Sequence, residues 1–425
     1  MRRDQIGERL THAVRHAASH SPFYGRLYAR CGVDVDGFRG TEDLRRLPII
    51  TPAHLIAEHR DFRASDAVPY RISSSSGTSF APKTLFRTAG DTDIGVDVLV
   101  RLLTMAGLGP GDSLIIGQPF DLAHLGYLTL DACRRLDILA IPVGLSIPDQ
   151  RLIQMISLYR PTAIFTAPSR VCSITEQIAE LSDRPTLKHI LLAGERTTRQ
   201  QRQKIIDFWK VVPHSLYGSE ETDGLGGSCT AHAGLHFMDD LFVMELLEPG
   251  TDQLAEGNVG ELVVTSLYAQ GTPLVRYRLG DLVRVLPGAC SCGRAWPLIE
   301  VLGRADEVFG LYDGIKLRGY QVRSALAAVS PELEHFQAVC RAVGSGIDEV
   351  ELIVDHCQSE GQEALADRLL SALWNCSIDL PAAAAIGSLR FRVSFGKPHV
   401  TQRGKTPQFI DLRNERTISM AGGEG

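Results

Sequence analysis

Between Ser73 and Lys83 the chain reads Ser-Ser-Ser-Ser-Gly-Thr-Ser-Phe-Ala-Pro-Lys. Hydroxyls on both sides of a glycine, closed by a cation, suit a polyphosphate. Glycine lets backbone N–H groups turn inward, hydroxyls donate, and lysine neutralises charge. Only seven of the 44 basic residues are lysines, so Lys83 stands out in a chain that otherwise writes its positive charge as arginine. The spacing is not Gly-x-x-x-x-Gly-Lys-[Ser/Thr], and a serine-rich linker shares the composition. The loop gains meaning from its company. Ala193-Gly194-Glu195-Arg196 and Tyr217-Gly218-Ser219-Glu220-Glu221 are two further segments with glycines and carboxylates. A third group is Cys229, His232 and His236, followed by Cys290-Ser-Cys292-Gly-Arg. Two histidines and three cysteines offer one ligand more than a tetrahedral zinc needs.

Such loops need a scaffold to bring them together. Ile6, Leu10, Ala13, Val14 and Ala17 mark one face of an amphipathic helix, ended by Pro22. From residue 91 the pattern is regular: helical stretches at 91–106, 123–136, 149–159, 169–181 and 198–209 alternate with apolar runs at 114–116, 138–143, 163–165, 190–192 and up to 217. That alternation predicts a mainly parallel sheet covered by helices. In such sheets the loops leaving the carboxyl ends of the strands carry the ligand, and the two acidic segments fall there. After residue 235 the stretches 242–247, 260–267, 274–277 and 282–286 predict antiparallel strands joined by glycine and proline turns. From Gly303 onward strands and helices mix again.

Composition narrows the classes. Apolar residues make up 44% and charged residues 22%, the balance of an ordinary globular protein of two or three domains at 425 residues. A net charge of −6 argues against a nucleic-acid or membrane partner. No apolar run reaches membrane-spanning length, and the arginines at the start are followed by no apolar stretch of a secretory signal. Nine scattered cysteines fit a reducing cytoplasm better than a disulfide framework.

The order of motifs resembles a known family. Ser-Ser-Gly-Thr-Ser, Ala-Gly-Glu, Tyr-Gly-Ser-Glu-Glu, Arg-Tyr-Arg-Leu-Gly-Asp, Gly-Arg-Ala-Asp and a late Gly-Lys follow one another as in the adenylate-forming acyl ligases. Ser21-Pro-Phe-Tyr24, Leu47-Pro-Ile-Ile-Thr51, the run from Pro273 to Asp281 and Cys290-Ser-Cys-Gly-Arg294 resemble the phenylacetate–CoA ligase branch. The resemblance runs from about Ser21 to Lys405. It implies an α/β fold: a large N-terminal domain (1–305) of helix-covered, mainly parallel sheet plus an antiparallel β subdomain, and a small mobile α+β C-terminal lid (306–425). It also implies two half-reactions. A carboxylate attacks the α-phosphate of ATP to give acyl-AMP, and a thiol, usually that of coenzyme A, then displaces AMP.

Residue by residue, the resemblance places Ser75, Ser76, Gly77, Thr78 and Ser79 on the β- and γ-phosphates with Lys83 nearby, and Gly194, Glu195 and Gly218 in the ATP site. Glu221 matches the glutamate that brings Mg²⁺ to the phosphates, since a hard cation wants carboxylate oxygen. Tyr217 would stack on adenine. Asp281, an acceptor-only carboxylate, fits the ribose diol, and Arg304 would touch the ribose or phosphate side. Asp306 sits at the interdomain hinge. Lys405 would stabilise charge developing on the α-phosphoryl and carboxylate oxygens. The metal-bearing members of the family suggest a structural zinc on Cys229, His236, Cys290 and Cys292, with His232 as the alternative ligand. His124 and Tyr127 lie where relatives place the acyl pocket, although a helix-end histidine with satisfied hydrogen bonds explains His124 as well.

Two departures stand out. Phe80-Ala81-Pro82 replaces the family's Gly-Lys-Pro, which stiffens the loop and removes a cation. Glu220 replaces a hydroxyl, and a second carboxylate near ATP is unfavourable unless Mg²⁺ or an arginine balances it. The leading expectation is an ATP-dependent ligase of an aryl or cyclic acid that passes its acyl-AMP to coenzyme A. The alternatives are transfer to an amine or a carrier-protein thiol, and a nucleotide-binding relative with impaired catalysis.

Overall fold

The computed structural model describes residues 2–74, 82–311, 315–330, 332–333, 335, 336–344, 346–355, 361–377, 379–397 and 408–413. Ser75, Ser76, Gly77, Thr78, Ser79 and Lys405 lie outside the described residues. Contacts between Cα atoms divide the chain into one unit of 1–197 with 201–301 and a second of 198–200 with 302–425.

The first unit begins with helices α1 (Arg2–His20), α2 (Pro22–Cys31) and α3 (Pro52–Phe62), the last two opened by a proline whose missing N–H costs nothing in a first turn. A hairpin follows, β1 (Arg71–Ser74) against β2 (Thr84–Arg87). Then come α4 (Ala89–Met105), β3 (Ser113–Ile116), α5 (Leu125–Arg135), β4 (Leu139–Pro142), α6 (Asp149–Tyr159), β5 (Ala163–Thr166), α7 (Pro168–Ile178), β6 (His189–Leu192), α8 (Arg199–Trp209) and β7 (His214–Tyr217). The chain continues through β8 (Gly226–Ser228), β9 (Leu235–Phe237), β10 (Phe242–Leu247), β11 (Val259–Ser266), β12 (Tyr277–Leu286) and β13 (Leu298–Arg304).

These strands form one sheet in the order β10-β11-β12-β13-β9-β8-β7-β6-β5-β3-β4. The antiparallel strands therefore extend the parallel sheet instead of standing apart from it. From β4 to β7 every pairing is parallel, while β7 pairs β8 antiparallel and β8 pairs β9 in the same sense. Strand residues alternate between faces, and the core follows that alternation. Ile115, Ile164 and Ile190 meet Leu152, Val171, Ile174 and Ile205 of α6, α7 and α8. Leu114, Ile116, Phe165 and Leu191 join Leu99 and Leu102 of α4 and Leu128 of α5. Burial on both faces is why these runs are continuously apolar.

The second unit contains the hairpin β14 (Val308–Gly310) and β15 (Lys316–Arg318), α9 (Gly319–Val329), β16 (Phe336–Gly344), β17 (Ile347–Val354), α10 (Gln362–Asn375), α11 (Asp379–Ile386), β18 (Leu389–Phe395) and β19 (Phe409–Asp411). Its four-stranded sheet runs β18-β17-β16-β19 around a core of its own that includes Val322, Leu326, Val350, Leu352, Leu369 and Leu373. Among the described residues no single helix is long and apolar enough to cross a membrane.

Candidate active site and metal centre

The site of interest lies where the sheet changes direction. Strand β7 leaves the parallel half at Tyr217, and the chain returns antiparallel at Gly226, with the Leu225 N–H bonded to the Tyr217 carbonyl at 2.8 Å. Residues 218–225 must therefore turn tightly. Gly218 is required there because a Cβ would run into the Asp223 carbonyl oxygen. The turn gathers Glu220, Glu221 and Asp223.

Each of the three acids is met by a base from a different place in the chain. The Lys83 ammonium donates to Glu221 Oε1, which also accepts from the Tyr277 hydroxyl at 2.7 Å. Glu221 Oε2 is buried and has no hydrogen-bond partner among the described residues. Burial pushes the Glu221 carboxyl up, but the Lys83 charge and the two hydrogen bonds win, and its pKa is lowered overall. Arg87, fully buried at the end of β2, pairs with Asp223 at 3.3 Å and donates to the Glu220 carbonyl oxygen. Its position is fixed by the next residue, Thr88, which forms a reciprocal cap with Asp91 at the start of α4. His124, immediately before α5, bonds Glu220 through Nδ1 and Asp223 through Nε2. Burial again opposes the charged carboxylate of Asp223, and Arg87 and His124 outweigh it, so its pKa is lowered.

Tyr217 and Asp281 meet directly, the Tyr217 hydroxyl donating to Asp281 Oδ2 at 2.7 Å. Of the expected strand at 274–277 only Tyr277 is strand; it opens the ten-residue β12, which takes in the expected 282–286 and has Asp281 inside it. The register against β11 shifts between Glu261 and Val263, and Gly280 adopts a φ of 78° that few other residues tolerate. This bulge re-aims Asp281 without ending the strand. Glu195, in the loop after β6, accepts from the Ser169 N–H at 2.7 Å and thereby caps α7, whose own N-cap, Ala167, makes no side-chain cap bond. Gly194 precedes it on the same exposed loop.

The Tyr127 hydroxyl bonds the Phe120 carbonyl at 2.9 Å and its ring meets Phe120 edge to face. In the second unit Arg304 and Asp306 pair with each other at 3.2 Å, both well exposed.

The cysteine and histidine groups form a separate centre. One ligand atom from each of Cys229, His236, Cys290 and Cys292 lies within 4.8 Å of all the others. The Cys229 and Cys290 sulfurs are 3.6 Å apart, and Cys292 Sγ is 3.3 Å from His236 Nε2. A Zn–S bond of about 2.3 Å separates tetrahedral ligands by about 3.8 Å, so the set fits zinc with modest expansion. His232 stands apart, its ring 4.6 Å from that of His214. The residue after β8, strand β9 and the turn before β13 supply the four candidate ligands; Met105, Leu298 and Trp296 pack around them.

No family model matches the chain. It is similar to the phenylacetate–coenzyme A ligase of Thermus thermophilus, 32% identical over 381 residues, 86% of this chain and 84% of that protein. The chain belongs to the phenylacetate–coenzyme A ligase family. The Pseudomonas putida phenylacetate–coenzyme A ligase is 27% identical over 381 residues, again 86% of this chain and 85% of that protein. Among solved structures, a 2-hydroxyisobutyryl-CoA ligase in the postadenylation state with R3-HIB-AMP superposes with a TM-score of 0.77 at 19% identity, covering 99% of this chain and 92% of that one. That likeness is one of fold.

In this member of the phenylacetate–coenzyme A ligase family, the structure brings Lys83 to Glu221, beside Gly218 in the turn after β7, and Tyr217 to Asp281. The Glu220 carboxylate meets His124, while Arg87 donates to the main-chain oxygen of Glu220. Both ring nitrogens of His124 are thereby engaged. Sequence reasoning missed Arg87, Asp223, Tyr277 and Tyr268, whose hydroxyl donates to Asp223 at 3.1 Å. Tyr277 stands inside a quoted motif and could have been found. Arg87 carried no signal in an arginine-rich chain.

Proposed function

We propose that this protein is an ATP-dependent acid–thiol ligase acting on phenylacetate or a related aryl acid. The carboxylate oxygen attacks the α-phosphorus of ATP, the bond to pyrophosphate breaks, and acyl-AMP forms. The sulfur of coenzyme A then attacks the acyl carbon, its proton is lost, and AMP leaves with the former carboxylate oxygen. Adenylation and the coenzyme A acceptor are supported by family membership; the acid is inferred from the relatives that bear its name.

The observation that carries the reading is Glu221. A carboxylate 2% exposed, with Oε1 satisfied twice and Oε2 without a partner among the described residues, is costly unless that oxygen meets something electropositive. Glu221 fits a Mg²⁺ ligand; the ion would supply charge neutralisation on the phosphate oxygens. Lys83 would hold Glu221 in place beforehand. Tyr217 and Asp281, already hydrogen-bonded, would take adenine and ribose, and Ser75, Ser76, Gly77, Thr78, Ser79 and Lys405 keep the phosphate and catalytic roles the family resemblance gives them. Gly194, Glu195 and Arg304 remain candidate nucleotide contacts, Tyr127 a candidate for the acyl side, and Asp306 the candidate hinge.

Cys229, His236, Cys290 and Cys292 would hold a structural zinc, since all four positions come from protein and none is open to substrate. The zinc would tie the turn before β13 to the β8–β9 hairpin. Eight free cysteines among the described residues support a reducing compartment.

The test is a panel of phenylacetate, benzoate, 2-hydroxyisobutyrate and acetate with ATP, Mg²⁺ and coenzyme A, read by mass spectrometry of the thioester. Phenylacetyl-CoA with AMP is the expected product. AMP formation that requires an amine or a carrier protein in place of coenzyme A would overturn the acceptor assignment.

A further inference from the structure

His124 satisfies two carboxylates at once: Nδ1 meets Glu220, and Nε2 lies 2.6 Å from Asp223. A neutral imidazole has one N–H and one acceptor nitrogen, so it can donate to only one acid. Two carboxylate partners call for two donors, and that is an imidazolium. The side chains of His124, Glu220 and Asp223 are 3%, 12% and 2% exposed, so water cannot substitute for the missing proton.

The surrounding groups leave this duty to His124. Arg87 faces Asp223 from β2 at 3.3 Å but meets Glu220 only at its carbonyl oxygen. Arg71 of β1 feels the charges of both acids at longer range. Tyr268, just after β11, donates to Asp223 at 3.1 Å. Without the imidazolium, the Glu220 carboxylate would lose its direct cation inside a turn that also carries Glu221. Burial alone would push the imidazole down; the bonds to Asp223 and Glu220 outweigh it and raise its pKa.

We propose that His124 is a positioning residue of the adenylation site, an imidazolium that bridges Glu220 and Asp223 and so fixes Glu221 between them. It rests on the adenylation reading above. The bridge joins the start of α5 to the turn after β7, two elements far apart in sequence. Its consequence is that the acid at position 220, unusual beside a polyphosphate site, is tolerated because His124 neutralises it.

The test uses the full chain and the acid that the wild type activates. Pyrophosphate release is measured for the wild type, His124→Ala, Glu220→Ser and the double variant. His124→Ala should lower kcat/KM for ATP by about tenfold or more, the loss of a charged hydrogen bond. Adding Glu220→Ser should then restore activity to within about threefold of Glu220→Ser alone, because the unbalanced carboxylate is gone. A purely structural histidine would give additive losses in the double variant. His124→Ala within twofold of wild type, or a double variant no better than His124→Ala, overturns the proposal.

Should His124→Ala fail to fold, ¹⁵N NMR of the histidine-labelled wild type at neutral pH decides. Two protonated ring nitrogens at His124 are expected, and a neutral tautomer overturns the bridge. A wild type that releases pyrophosphate with no acid tested would defeat the adenylation reading instead, and the NMR result would stand apart from it.

Discussion

Lys83→Met tests whether the ion pair at Glu221 is built into the fold or incidental. The substitution keeps most of the aliphatic stem and removes the charge. Glu221 would then keep only neutral donors, the Tyr277 hydroxyl and a main-chain N–H, for a carboxylate that is 2% exposed. Breaking a buried ion pair from one side costs about 3–5 kcal/mol. The Lys83 side chain is 25% exposed, so water can follow the deletion and the lower end, about 3 kcal/mol, applies. The sign with pH follows from the lowered pKa of Glu221. The pair's stabilisation is fully present above the ordinary carboxylate range and is lost as pH falls through the folded-state value. Lys83→Met should therefore be most damaging near neutrality and least in acid.

Glu221→Gln removes the charge that needs the lysine. The double variant should then be more stable than Lys83→Met alone, with a coupling of about 2 kcal/mol in urea unfolding at pH 7. Lys83→Met as stable as wild type, or a coupling near zero, would refute the reasoning.

Three further outcomes are expected. Protein purified without a polyhistidine tag should contain one zinc per chain, and Cys292→Ser should lower the melting temperature more than it weakens ATP binding; a metal-free preparation with the same melting curve would refute the zinc. Lys405→Ala should abolish acid-dependent ATP–pyrophosphate exchange while thioester formation from supplied acyl-AMP stays largely intact, as parallel assays of the two half-reactions will show. Tyr217→Phe, which removes the hydrogen bond to Asp281, should raise KM for ATP by up to about tenfold with little change in kcat; an unchanged KM would mean that the pair does not organise the nucleotide site.

The parallel half of the fold was legible because strands buried on both faces must be apolar throughout and their crossover helices must be amphipathic. The runs at Leu114–Ile116 and Ile190–Leu192 could hardly be anything else. The antiparallel half was harder. Strands β8 and β9 have three residues each and carry no readable period, and the apolar residues at 274–276 lie outside β12, which begins at Tyr277 and runs through the bulge at Gly280. The missed pieces concealed the continuity of the sheet through β7. At the site, the motif residues Tyr217, Glu221 and Asp281 stood out, and so did the cysteines and histidines of the candidate metal cluster, although the choice of His236 over His232 came from the family resemblance. The partners of the motif residues did not stand out. Arg87, Asp223, Tyr268 and His124 act through contacts between residues 87 and 268 in the chain, and such pairings are set by tertiary packing, which spacing alone does not encode.

The central claim is that the acid's own oxygen passes to the α-phosphorus. Phenylacetate labelled with ¹⁸O in both carboxyl positions, incubated with ATP, Mg²⁺ and coenzyme A, follows that oxygen. AMP carrying a single ¹⁸O atom, formed together with pyrophosphate and phenylacetyl-CoA, is the predicted result. Thioester formed with ADP and phosphate, or AMP without label, would contradict it.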